Sequence, residues 1–224
     1  MKSKAAEVFN QYAEDYDRWF DTLEGKVLFE MEVKAVRLLM KNLERPFLEI
    51  GVGTGKFAEE LGIDFGIDPS SKVLGIAERR GIKVKKARGE SLPFSDESFG
   101  AVFILFTLCF VEDPQTVLAE TERVLKKGGG LIIGIINRES PWGQLYLKKK
   151  AEAHPIYTHA RFYSINEVTK MIEKAGMEVG AYSSTLRQSP SEILHEESVY
   201  NHLVENAGFV CILARKHLEM TNDN

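Results

Sequence analysis

Cysteine is scarce here: the chain has two in 224 residues, Cys109 and Cys211, both inside apolar runs. Two cysteines make neither a disulfide framework nor a metal-binding set, so no metal is expected and a reduced, cytoplasmic setting is the default. A free cysteine in an apolar run reads as a small core residue, and Cys109 is taken that way. Long apolar runs are also missing. The longest, AVFILFTLCFV (101–111), cannot span a bilayer as a helix and reads as a buried strand with the residues just past its end. The opening MKSKAAEVFNQYAEDYD lacks the apolar stretch of a secretory signal. Basic charge does not dominate: 29 Lys and Arg against 33 Asp and Glu give a net charge of −4. Without a basic stripe, nucleic acid is not expected as a partner. The short run Lys148 to Lys150 reads as a solvated face. No repeat, low-complexity tract or inter-domain linker appears. One domain over 1–224 is expected, with N-terminal helices over 1–44 and a core over 45–224.

Alternation of elements is what the chain does have. Residues 4–20 read as one helix rich in aromatics, and 26–43 as an amphipathic helix with Leu28, Met31, Ala35, Leu39 and Leu43 at three-to-four spacing. After Arg45-Pro46, strands and helices take turns. PFLEI, IDFGI, IKVKKA, AVFILF and GLIIGII read as strands, the third as an edge. KFAEEL reads as a short helix. SSKVLGIAERR reads as a helix with Ser70 at its N-cap, PQTVLAETERVLKK as one begun by Pro114, and SINEVTKMIEKAG as one capped by Ser164. MEVGAYSSTL and GFVCILARK close the chain with only a polar loop between them, so they are expected to pair antiparallel at one edge. The pattern predicts an α/β fold with a doubly wound, mostly parallel sheet.

Three glycines at alternate positions, Gly51, Gly53 and Gly55, come after the first strand in LEIGVGTGKF. At the carboxyl end of a strand in such a sheet, bare backbone suits a ligand lying against the chain. A dinucleotide fingerprint would need glycine at position 56, which is Lys56. A P-loop would need a hydroxyl after Lys56, where Phe57 stands. GIDPS ends the second strand and puts Asp68 there, where a carboxylate can accept from both vicinal hydroxyls of a ribose.

Glu49-Ile50-Gly51-Val52-Gly53-Thr54-Gly55 resembles, at every position, the glycine loop of class I S-adenosylmethionine (SAM)-dependent methyltransferases. ARGESLPFSDESFGAVF and LAETERVLKKGGGLIIG resemble the next two blocks of that family, in its small-molecule branch with the quinone-biosynthesis enzymes. The resemblance implies a three-layer Rossmann-like sheet of about seven strands with the last antiparallel, SAM as cofactor, and methyl transfer to a small-molecule acceptor. It implies cofactor contacts at Glu49, Gly51, Gly53, Gly55, Asp68 and Pro69, then at Gly89, Glu90, Ser91 and Phe106. One departure stands out. Where the family has an aspartate meeting adenine, the aligned residue is Arg88, so that contact falls to Glu90 or to backbone. A cofactor-holding domain without turnover, or methylation of a protein, remain as alternatives.

The leaving group of such a transfer is so good that positioning carries much of the chemistry. No residue pattern demands a protein base; His154 is the one candidate. The acceptor wall is expected from Tyr12, Tyr16 and Trp19, and from Trp142 and Tyr157 after the fifth strand. Tyr12-Ala-Glu-Asp-Tyr16-Asp17 matches a segment that family members fold over the cofactor. The aromatic N-terminal helix is therefore either such a lid or simply core.

Overall fold

The computed structural model describes residues 4–190 and 193–218. Its frame is a sheet of β1 (Phe47–Ile50), β2 (Phe65–Asp68), β3 (Lys83–Lys86), β4 (Phe99–Leu105), β5 (Leu125–Ile136), β6 (Met177–Thr185) and β7 (Phe209–Lys216). These seven strands lie in the order β3-β2-β1-β4-β5-β7-β6. β1 to β5 pair in parallel, and β7 runs antiparallel to β5 and β6. The strand count and the antiparallel last strand agree with the sequence reading. β4 is buried along its whole length, as a central parallel strand must be. Ala101, Phe103 and Leu105 point to one helical layer, Val102 and Ile104 to the other. Outermost β3 is mostly exposed and carries lysines, which discourages pairing with another chain.

The helices are α1 (Lys4–Gln11), α2 (Ala13–Trp19), α3 (Leu23–Leu39), α4 (Lys56–Leu61), α5 (Ser71–Arg79), α6 (Pro114–Val124), α7 (Pro141–Ala151) and α8 (Ile165–Lys174). Leu28, Met31 and Leu39 of α3, Phe57 and Leu61 of α4 and Leu74 of α5 fill one face of the sheet. Val117 and Leu118 of α6 and Val168 and Ile172 of α8 fill the other. Fully buried side chains such as Phe103 and Phe209 each contribute about 1.5–3 kcal/mol.

Three local expectations are corrected, and one helix is added. The aromatic helix over 4–20 is two helices, because Tyr12 leaves helical geometry at φ −104°, ψ 16°. α3 starts earlier than its apolar pattern, where the Thr22 side chain accepts from Gly25 N. α6 stops at Val124 and β5 begins at the next residue, so Lys126 and Lys127 are strand rather than helix. The helix α7 has no apolar stripe to announce it; its start is fixed by Ser140, which accepts from Gly143 N, and by Pro141.

Candidate functional site

The sheet changes winding direction between β1 and β4, and both strands end at one cavity of about 470 Å³. Volumes of this size suit small ligands. Past Ile50 the chain turns through the glycines into α4. Gly51 has φ +73°, and a Cβ there would lie 2.2 Å from Thr107 Oγ1. Gly53 also has positive φ, but a Cβ there would meet nothing nearer than Tyr16 Cε1 at 3.9 Å. Gly51 thus serves packing against the end of β4, while the space above Gly53 belongs to the cavity. Gly55 packs against Ala77 of α5 and is not part of the cavity wall.

Asp68 ties the end of β2 to this turn. Its Oδ2 accepts from Gly53 N at 3.2 Å and its Oδ1 from Ser70 N at 2.7 Å. Burial pushes its carboxyl up to about 6, outweighing those two donors. Behind it, buried Glu49 is pushed well above the carboxylate range by burial and by the charge of Asp68. Among the described residues, Glu49 Oε2 has no hydrogen-bond partner. A buried oxygen left unsatisfied calls for a donor from outside the chain. These groups fit a ligand with ribose hydroxyls and an ammonium group.

Strain is concentrated beside the turn. Phe106, next after β4, sits at φ +56°, a costly conformation for an aromatic residue. It is held by its N–H to Gly134 O at 2.9 Å and by stacking on Phe209 with centroids 4.8 Å apart. Thr107 Oγ1 donates to Gly51 O at 3.2 Å, locking the ends of β1 and β4 together.

Of the residues singled out by sequence, Gly51, Gly53, Asp68, Pro69, Gly89, Glu90 and Phe106 line this cavity, as do Tyr12, Tyr16, Trp19, His154 and Tyr157. Glu49 sits one layer behind. Ser91 is exposed, bridged to Arg88, and outside the wall. Trp142 is outside it too. It is 2% exposed, donates Nε1–H to Gln188 O at 2.8 Å and packs on Gly208, so it anchors a loop instead of facing an acceptor. Cys109 is not simply core: it lines the cavity, donates to Phe106 O at 3.2 Å, and burial pushes its thiol up to about 12. Lys149 leaves the solvated face expected of it. It borders the cavity with Nζ 5.0 Å from the Tyr146 ring centroid. Arg88 pairs with Glu90 at 3.2 Å and Glu112 at 2.9 Å. Burial raises the Glu90 carboxyl, but Arg88 outweighs it and holds the group below its usual range. His154 Nδ1 accepts from Ile156 N at 3.3 Å. That bond places the proton of a neutral ring on Nε2 and the lone pair on Nδ1.

Sequence reasoning missed Glu32, Tyr146, Thr107 and Lys149. Glu32 had a signal: a carboxylate four residues after Leu28, within the apolar stripe of α3.

A nucleotide-type cofactor site at the switch point of a Rossmann-like sheet is therefore the class that fold and cavity define. Residues 48–133 match a family described as methyltransferase domain. The crystal structure of a SAM-dependent methyltransferase from Thermotoga maritima, described as a possible histamine N-methyltransferase, is 40% identical. It covers 95% of this chain and 99% of its own, with a TM-score of 0.87. An uncharacterized protein of Methanocaldococcus jannaschii is 40% identical over 93% of this chain and 98% of its own length. A demethylmenaquinone methyltransferase from Thermotoga maritima is 33% identical over 59% of this chain and 61% of its own. The chain belongs to the class I SAM-dependent methyltransferases, and its cofactor is SAM. Among the described residues no helix is long and apolar enough to cross a membrane.

Proposed function

We propose that this chain moves a methyl group from SAM to a small-molecule acceptor by in-line displacement. One observation carries the reading: a single cavity joins the glycine turn and Asp68 to an aromatic wall of Tyr16, Trp19, Tyr146 and Tyr157. A macromolecular substrate would instead need an open approach, and α1 and α2 cover this cavity.

SAM supplies a methyl group on a positively charged sulfur, which leaves as a neutral thioether. The chain's part is to bind and align. Asp68 takes the ribose hydroxyls with the lone pairs not used by Gly53 and Ser70. The glycine turn at Gly51 and Gly53 receives the amino-acid end, with Glu49 one layer behind it. Pro69, Gly89 and Phe106 border the adenosine, with Glu90 held in place by Arg88. The ring of Tyr16, above Gly53, keeps water from the reacting carbon and favours positive charge beside it. Holding two reactants in one geometry can remove about 7–11 kcal/mol of barrier.

The test is transfer from methyl-labelled SAM in the presence of a small-molecule extract. The expected result is label in a low-mass product. Label confined to macromolecules, or cofactor binding with no transfer at all, sinks the reading.

A further inference from the structure

Glu32 has no structural reason to be an acid. α3 lays Leu28, Met31, Ala35 and Leu39 against the core, and Glu32 lies in the same stripe at 5% exposure. It is one of the residues that line the cavity. Among the described residues it forms no ion pair and accepts no hydrogen bond, and burial alone pushes it well above the usual carboxylate range. The titratable groups that feel its charge are Tyr16 on α2, Tyr146 on α7, Tyr157 in the turn after α7 and Cys211 on β7. Burial raises all four, so they stay neutral near pH 7. Of the cavity's cations, Lys149 lies over the Tyr146 and Tyr157 rings, 5.0 and 5.9 Å from their centroids, and Arg88 pairs with Glu90 and Glu112.

A buried carboxyl with no partner opposes folding, and glutamine or methionine would fit a helix stripe at lower cost. What it lacks is a cation. Its surroundings suit one: Tyr146 and Tyr157, edge to face with centroids 4.7 Å apart, already carry the Lys149 ammonium over their rings, as aromatic faces attract cations. An anionic acceptor would be repelled, and a neutral hydroxyl would not hold Glu32 ionised.

We infer that the acceptor is a small primary or secondary amine whose nitrogen is held by Glu32. The inference rests on the methyl-transfer reading above. The amine enters as an ammonium and gives one proton to the Glu32 carboxylate. The freed lone pair forms the new C–N bond as the C–S bond breaks, its electron pair staying on sulfur. The products are a methylated ammonium, neutral S-adenosylhomocysteine and a protonated Glu32, which returns its proton to solvent on release.

The test is calorimetry on protein saturated with S-adenosylhomocysteine. The probes are benzylamine and 2-phenylethylamine, against benzyl alcohol, 2-phenylethanol and benzoate. The amines should bind at least about tenfold tighter than the alcohols, the scale of a desolvated cation site, and benzoate should not bind. Glu32→Gln should erase the preference for amines and leave SAM affinity unchanged. Without ligand, Glu32→Gln should melt no lower than wild type, because no structural partner is lost. No binding by either amine, equal binding of amines and alcohols, a preference that survives Glu32→Gln, or a lower melting temperature in that variant would each overturn the assignment. So would loss of SAM affinity in Glu32→Gln, which would give Glu32 to the cofactor. If methyl transfer is the reading at fault, SAM binds wild type and no label reaches a low-mass product, while the amine preference persists.

Discussion

Ser70 donates its hydroxyl to the side-chain oxygen of Asn10 at 2.8 Å. That oxygen also accepts from Lys72 N in the first turn of α5, at 3.1 Å. Ser70 stands at the N-cap position but makes no side-chain bond to its own helix. The capping oxygen comes instead from α1, sixty residues earlier. α1 is thereby latched beside Asp68, whose Oδ1 accepts from Ser70 N.

Asn10→Ala should release that latch. An N-cap oxygen is worth about 0.5–2 kcal/mol. The loss should appear locally, as faster amide exchange over residues 4–11, with SAM affinity falling by up to about tenfold. Exchange and affinity both equal to wild type would show that the contact couples nothing.

The two glycines differ in what they protect. Gly51→Ala places a Cβ 2.2 Å from the Thr107 hydroxyl and should lower the melting temperature sharply. Gly53→Ala meets only open cavity, so its fold penalty is that of left-handed backbone, about 1–2 kcal/mol. It should fold and bind SAM poorly, and Gly53→Val should fold and bind none. Calorimetry with circular dichroism separates the outcomes. Normal SAM affinity in folded Gly53→Val would remove the glycine turn from the cofactor site.

Asp68 gives SAM binding a pH dependence. Its carboxyl is raised from 3.8 to about 6 in the free protein, by burial. Ribose hydroxyls donate to the ionised form, so bound SAM should lower this value. Affinity should then be full above pH 6 and fall as pH drops through it, by at most about tenfold per unit. Stability of the free protein runs the other way. A raised folded value means that ionisation opposes folding, so this group's share is intact below pH 3.8 and lost by about pH 6. In Asp68→Asn both slopes should disappear, and SAM should bind roughly 1–3 kcal/mol more weakly. A SAM affinity flat between pH 5 and 7 in wild type would take the ribose contact away from Asp68.

How much of this was readable in the sequence depends on the range of the forces involved. β4 announced itself because an all-apolar run of branched and aromatic residues has one place to go in a parallel sheet. The glycine turn and Asp68 were legible because their spacing is local to two strand ends. Trp142 was misread because an aromatic side chain on a segment leaving a strand can face in or out. Only contact with Gln188 and Gly208, far along the chain, settles the matter. Glu32 was passed over because an acid in an amphipathic helix usually sits on the wet face. Its burial depends on α2, α7 and β7 meeting around it, which no window of sequence contains.

The aromatic N-terminal segment changes its packing at Tyr12. α1 buries little beyond Ala6 and touches the rest through Asn10 and through Phe9, which meets Tyr16 and Phe110 edge to face at 5.6 and 5.1 Å. α2 is bound far more firmly. Phe20, just past its end, is 5% exposed and packs on Trp19, Phe29 and Phe57. Asp17 pairs with Arg80 at 3.0 Å, and burial of Asp17 is outweighed by that guanidinium, which holds the carboxyl below its usual range. Arg80 also donates to Thr54 O in the glycine turn, at 2.6 Å. Opening for cofactor exchange should therefore hinge at Tyr12 and move α1 alone, since mobile elements are the weakly packed ones. Amide exchange should be fast over residues 4–11 in the free protein and slow with SAM bound, while residues 13–20 stay protected in both states. Removal of residues 1–11 should spare the melting temperature to within a few degrees and abolish methyl transfer. Removal of residues 1–20 should lower it much further, because a phenylalanine leaves the core at a cost of about 3–5 kcal/mol. Equal protection of 4–11 with and without SAM, or a truncation to residue 12 that cannot fold, would make α1 core as well.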